Sequence, residues 1–267
     1  MTRLSHLAKI TAAASLALPA GLAFADGDAP TSLALTGKIR DFQMSHPDMQ
    51  NPNKSFGVKT GLVTADLCEE GLPVLDTSLD YTRGMISGQE SFDQWFRDVE
   101  GVNVSFPHAI VLEPHPSKPG VYWFAREKGM SDGQQYFFPA DGKGYMDHQV
   151  TSMGDHNYYF TYELRTSFNY SDPASRDQAL EFSFTGDDDV WVYINGKLAV
   201  DLGGVHGQAH GSVNLDEQAE ALGLEAGGNY ELVLFFAERH TTESNFRVET
   251  TLELEEVLPT SVSPLFD

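Results

Sequence analysis

Residues 190–194, Val-Trp-Val-Tyr-Ile, are all β-branched or aromatic, Asn195-Gly196 follows, and residues 198–202 return as a second mostly apolar run. Such side chains fit a pleated surface, and Asn-Gly accepts the positive φ values that a tight hairpin turn demands. The stretch therefore reads as a β-hairpin. A two-residue turn sets its register, with Ile194 opposite Lys197, Val192 opposite Ala199 and Val190 opposite Asp201. Asp187 and Asp188 then fall just past the paired residues, roughly 20 Å from the turn at about 3.3 Å per residue. They lie beside the loop Gly203-Gly204-Val205-His206-Gly207.

Asp187, Asp188 and Asp189 are consecutive. Adjacent carboxylates repel one another and aspartate is a poor strand former, so the cluster needs local compensation. A divalent cation is one source. Calcium accepts six to eight hard oxygen ligands in irregular geometry, which suits aspartates with loop carbonyls and leaves positions for outside ligands. The other reading of the same residues is a strand end closed by Asx-type hydrogen bonds.

The segment GDDDVWVYINGKLAVDLGGVHG at 186–207, followed by AERHTTESNFRVETTL at 237–252, resembles the core of the fibro-slime domain of the PA14 superfamily. GKIRDFQMSHPDMQ, FDQWFRDVEGVN and FFPADGKGY, in that order upstream, resemble the earlier segments of the same domain. The resemblance runs roughly from Leu35 to Leu254 and implies an all-β, PA14-like antiparallel β-sandwich with one or two short helices. In lectins of the superfamily, two adjacent aspartates joined by a cis peptide chelate calcium, and a neighbouring loop adds oxygens. Asp187 and Asp188 match that pair, because Asp187 to Gly196 has the ten-residue spacing of the superfamily's motif. The resemblance implies Asn245 as the first further metal ligand, with Glu243 or Glu238 as alternatives, and Asp189 turned elsewhere. Gly204 and His206 would line the rim, with His206, Arg239 and His240 as exposed hydrogen-bonding groups for a sugar. The implied function is reversible binding of a glycan of a cell surface or matrix. The alternative is a structural slime or matrix protein without a specific glycan site.

Residues 1–25 carry Arg3 and Lys9, an apolar run from 10 to 22 and then Ala23-Phe24-Ala25, the layout of a secretory signal peptide. No second run approaches the roughly 18 apolar residues of a membrane span. The expected destination is the cell exterior or cell surface, with the periplasm as the other possibility. Residues 26–34 read as a linker, 35–256 as the domain and 257–267 as a tail. The formal net charge is −22, and cleavage after Ala25 would leave 15 basic against 39 acidic residues. That balance argues against nucleic acid and anionic membrane as partners and favours cations, neutral glycans or basic proteins. Cys68 is the only cysteine, so no intrachain disulfide is available, and it reads as a small buried hydrophobe.

Along the chain, 33–42, 103–112, 158–168, 179–184, 230–237 and 246–254 read as strands, with a shorter one at 61–67. Residues 121–125 and 135–139 read as a hairpin. Ser91 is a candidate N-cap for a helix burying Phe92, Trp95, Phe96 and Val99, and Asp216 for a second helix ending near Gly223. Residues 238–245 form a polar loop. There is no GxSxG, HExxH, CxxC or phosphate-cradling glycine loop, so the common hydrolase, metalloprotease, redox and nucleotide signatures are missing. Adjacent aspartates fit poorly with glycoside hydrolysis, which needs two separated acids of unequal pKa. The protein reads as a binding module. His206, His210 and His240 are the residues of a transition-metal option, disfavoured against calcium by the carboxylates.

Overall fold

A computed structural model describes residues 31–50, 56–124, 136–152 and 154–258. The proposed signal peptide lies outside the described residues. The strands are β1 (Leu33–Phe42), β2 (Asn103–Pro114), β3 (Tyr122–Phe124), β4 (Gln149–Thr151), β5 (Gly154–His156), β6 (Phe160–Tyr170), β7 (Glu181–Gly186), β8 (Asp189–Ile194), β9 (Lys197–Leu202), β10 (Ala209–Asn214), β11 (Gly228–Glu238) and β12 (Phe246–Thr250). Two short α-helices, α1 (Gln89–Phe92) and α2 (Leu215–Leu222), and two 3-10 turns, Tyr81–Gly84 and Pro173–Ser175, accompany them.

β2, β1, β6, β11, β8 and β9 form one antiparallel layer, and β10, β7, β12 and β3 a second. β2 joins them, pairing with β1 over Asn103 to Leu112 and with β3 at Glu113 and Pro114. The outermost strands β9 and β10 approach each other at the opposite side, so the layers nearly close into a barrel. The protein is an all-β, PA14-like sandwich.

Between the layers lies an aromatic core in which Phe137 stacks on Phe246 at 4.5 Å between centroids, with Phe160, Phe184 and Phe236 around them. A second apolar cluster covers the outer face of β8 and β11, where Phe92, Trp95 and Phe96 pack against Trp191, Tyr193 and Phe235. β8 is thus buried on both faces at every residue, which explains why its sequence runs continuously apolar instead of alternating.

Several sequence expectations need correction. The β8–β9 hairpin turns at Asn195-Gly196 and pairs Ile194 with Lys197, but a bulge between Val192 and Tyr193 shifts the rest. Val192 faces Val200, Trp191 faces Asp201 and Val190 faces Leu202. The first helix is a single turn opening after Gly88; Ser91 lies inside it and donates its hydroxyl to the Gly88 carbonyl. Among the described residues of the expected hairpin 121–125 with 135–139 no pairing forms: β3 lies between β2 and β12, and Tyr136 bridges Asn245. Residues 61–67 make only isolated bridges at Val63 and Asp66. Asn214, not Asp216, caps α2, accepting from the amides of Asp216 and Glu217. β10, whose glycine and histidine hide its strand character, pairs with β7. Cys68 is half-buried against the second cluster and unpaired.

Candidate functional site

The acidic turn sits where β7 ends and β8 begins. A Cβ on Gly186 would come within 2.1 Å of the Asn245 carbonyl oxygen, so only glycine lets β7 and the 238–245 loop approach this closely. The peptide between Asp187 and Asp188 is cis. Asp187 accepts from the Asn245 backbone amide at 2.5 Å and from its Nδ2 at 2.9 Å. Asp188 accepts from the backbone amides of His206 at 3.1 Å and Arg239 at 3.2 Å. Asp189 turns the other way. Its carboxylate accepts from the Gly204 amide at 2.5 Å and from Arg239 Nε at 2.7 Å. Gly204 holds φ +93°, the left-handed backbone that aims this amide.

Two loops therefore grip the aspartates from either side, 203–207 and 238–245. All three aspartates are nearly or fully buried. Burial pushes the Asp187 carboxyl above the usual range against the hydrogen bonds from Asn245, with Glu243 adding repulsion. Burial pushes Asp188 well up, opposed by Arg239 and reinforced by Asp189 and Asp187. Behind them Glu238 is fully buried and also pushed well up, by burial and then by repulsion from Asp188 and Asp187. Its Oε1 accepts from the His240 amide at 3.3 Å; among the described residues its Oε2 has no well-aligned donor, although the nearby Ser244 hydroxyl, which donates to the Phe137 carbonyl, draws the carboxyl back down. The site gathers carboxyl groups out of water, where their charged forms are penalised, and among the described residues one Glu238 oxygen lacks a well-aligned donor.

A cavity of about 200 Å³ opens on Asp187 and Asp188, and its wall includes Phe56, His206, His240 and Glu243. Asp187, Asp188, Glu243, Asn245, Gly204, His206 and His240 are thus brought to one place. Three expectations are corrected in detail. Arg239 is completely buried and faces away from the cavity: it pairs with Asp189, donates to the carbonyls of Asp48, Met85 and Gly84, and lies over Trp95 at 4.5 Å. It is a structural cation, not an exposed sugar contact. His206 is also buried, with both ring nitrogens engaged by the carbonyls of Gly207 and Leu202. Asn245 presents its amide nitrogen to Asp187 and Glu243, so ligation through its oxygen would require the amide to turn over. Phe56 was not singled out in the sequence. It sits in a turn-rich stretch without periodicity, and its place at the cavity follows only from the pairing of its neighbours with residues 203–205.

The PA14 domain family matches residues 117–263, and the chain belongs to that family. Within it the chain is a fibro-slime-type protein, similar to the psi proteins of Dictyostelium discoideum. It is 37% identical to psiQ over 219 residues, covering 78% of this chain and 20% of psiQ, and 34% identical to psiC over 234 residues, covering 84% of this chain and 42% of psiC. psiR is 36% identical over 235 residues, covering 84% of this chain and 22% of psiR. The chain thus spans less than half the length of these relatives. PA14 membership suggests an extracellular carbohydrate-binding or adhesion-like module. Among the described residues, no helix is long and apolar enough to cross a membrane.

Proposed function

We propose that the protein is a secreted, calcium-dependent carbohydrate-binding module serving adhesion at a cell surface or in a matrix. The observation that carries this reading is the pair of buried carboxylates, Asp187 and Asp188, opening on a cavity beside a buried Glu238. Burying charges without compensation is strongly unfavourable, and a hard cation with oxygen ligands relieves the repulsion between the paired carboxylates. Among the described residues no three His, Cys, Asp or Glu side chains form a metal nest by themselves. The reading therefore assigns Asp187 and Asp188 as the paired ligands, Glu243 and a turned Asn245 as contributors from the loop, and Glu238 as a buried reserve. Bound calcium would supply a Lewis-acidic centre with positions open to sugar hydroxyls.

The chain's own groups have distinct tasks. The amides of His206 and Arg239 hold the Asp188 carboxylate in place, and those of Gly204 and Asn245 do the same for Asp189 and Asp187. Thr241, Thr242 and His240 line the wall with hydrogen-bonding groups. No bond is broken; the task is reversible recognition, and copies arrayed on a surface would multiply weak single contacts.

The test is calcium titration of chelator-stripped protein, read by melting temperature, together with a glycan array run with and without chelator. Wild type is expected to gain about 2.7 kcal/mol at calcium one hundred times its dissociation constant. Asp188→Asn is expected to lose that gain and the glycan signal together. Glycan binding indifferent to both chelator and Asp188→Asn would overturn the reading.

A further inference from the structure

Phe56 is 54% exposed, and among the described residues it is the only Phe, Tyr or Trp presented so openly to solvent. A single exposed hydrophobe is ordinarily without consequence. This one lines the cavity that contains Asp187 and Asp188. Its placement is built: the Gly57 amide donates to the Val205 carbonyl at 2.8 Å and the Lys59 amide to the Gly203 carbonyl at 2.6 Å. The loop they clasp is the one whose Gly204 and His206 amides hold Asp189 and Asp188. The ring is therefore tied by backbone hydrogen bonds to the same loop that positions the acids.

The ring meets His240 across the cavity wall at 5.0 Å between centroids and 89° between planes. Whichever ring supplies the edge in this perpendicular contact, at least one Phe56 face is left uncovered by His240. An aromatic face carries partial negative charge and attracts the weakly positive C–H bonds of a ring laid on it. The cavity is also one-sided in charge: among the described residues no Lys or Arg lines it, while Asp187, Asp188 and Glu243 do. Three carboxylates line the cavity, one more negative charge than a bound divalent cation neutralises, so the cavity disfavours a carboxylated or sulfated sugar.

Resting on the carbohydrate reading above, we propose that Phe56 is the stacking wall of this cavity. The ligand class is a neutral pyranoside that lays an unsubstituted run of ring C–H bonds on Phe56 and turns its hydroxyls toward Asp187 and Asp188. His240 braces the wall from the side, and Phe56 supplies no oxygen ligand, so its role is separable from that of the acids.

The test uses the full chain with calcium and four probes: methyl β-galactoside, methyl β-glucoside, methyl α-mannoside and, as the charged comparator, methyl β-glucuronide. Saturation-transfer NMR is expected to show ring C–H protons of at least one neutral glycoside in contact with the protein, with glucuronide weaker than its neutral counterpart. Phe56→Ala is expected to weaken the neutral glycoside about tenfold, Phe56→Trp to retain it, and both to keep the wild-type melting response to calcium without sugar. Undiminished binding by Phe56→Ala, or preference for the glucuronide, would overturn the stacking wall while leaving carbohydrate binding in place. A wild type that responds to calcium yet binds none of the four would overturn both.

Discussion

At the scale of single residues, the three adjacent aspartates are not equivalent. Asp187 and Asp188 face the cavity, whereas Asp189 neutralises Arg239, which is fully enclosed and donates to three backbone carbonyls. That ion pair belongs to the support beneath the site: it links the start of β8 to the segments around Asp48 and Met85. Removing one partner of a buried pair strands the other charge, at a cost of about 3–5 kcal/mol. Asp189→Asn is therefore expected to lower chemical-denaturation stability by that amount, and a loss below about 1 kcal/mol would show that Arg239 finds another anion. The assignment of Asp189 to a different direction from its neighbours came through the resemblance. The identity of its partner did not, because Arg239 lies fifty residues away in a loop whose composition reads as solvated. Nothing local in the sequence marks that arginine as the one the fold encloses.

At the scale of elements, long alternating strands were legible and irregular connections were not. β1 has the boundaries its alternation suggests, and β6, β7 and β11 lie within a few residues of theirs. β12 ends at Thr250, earlier than its alternation, although Leu252 and Leu254 still point into the core. The hairpin turn was legible because Asn195 and Gly196 take φ values of 52° and 73°, a demand few residue pairs meet. Its bulge was not, since an extra residue in β9 is set by packing against both clusters rather than by the turn. Asn195 has a second task visible only in three dimensions: its Nδ2 donates to the Leu222 carbonyl at 2.9 Å, tying the turn to the end of α2. Asn195→Ala loses both the left-handed preference and that hydrogen bond and is expected to cost about 1–2 kcal/mol. The calcium response is expected to stay at its wild-type value, because the acids lie at the other end of the hairpin. Melting curves with and without calcium check both halves of the statement.

At the scale of the whole molecule, a chain with a formal net charge of −22 also buries several of its acids, and the two facts act on stability in the same direction. Asp41 is the clearest case outside the candidate site. Burial pushes its carboxyl up to about 6, against hydrogen bonds from the Tyr145 amide and Asn157 Nδ2. A carboxyl raised in the folded state adds stability that is fully present below its unfolded value of 3.8 and is lost as pH rises through about 6. Asp201, also raised by burial, adds the same slope. His46, lowered by burial, opposes it below its unfolded value of 6.5. Asp98, Asp216 and Glu249 are held low and weaken the fold only under more acidic conditions than their unfolded values. Because self-repulsion also eases on acidification, the total slope does not isolate any one group. The difference between wild type and Asp41→Asn does. In chelator, the melting temperature of wild type relative to the variant is expected to fall as pH rises from about 4 to about 6 and to level off above about 7. A difference that is flat across that interval, or that grows with pH, would mean that Asp41 is ionised in the folded protein at no cost, and that the 141–148 segment folded over it relies on other contacts.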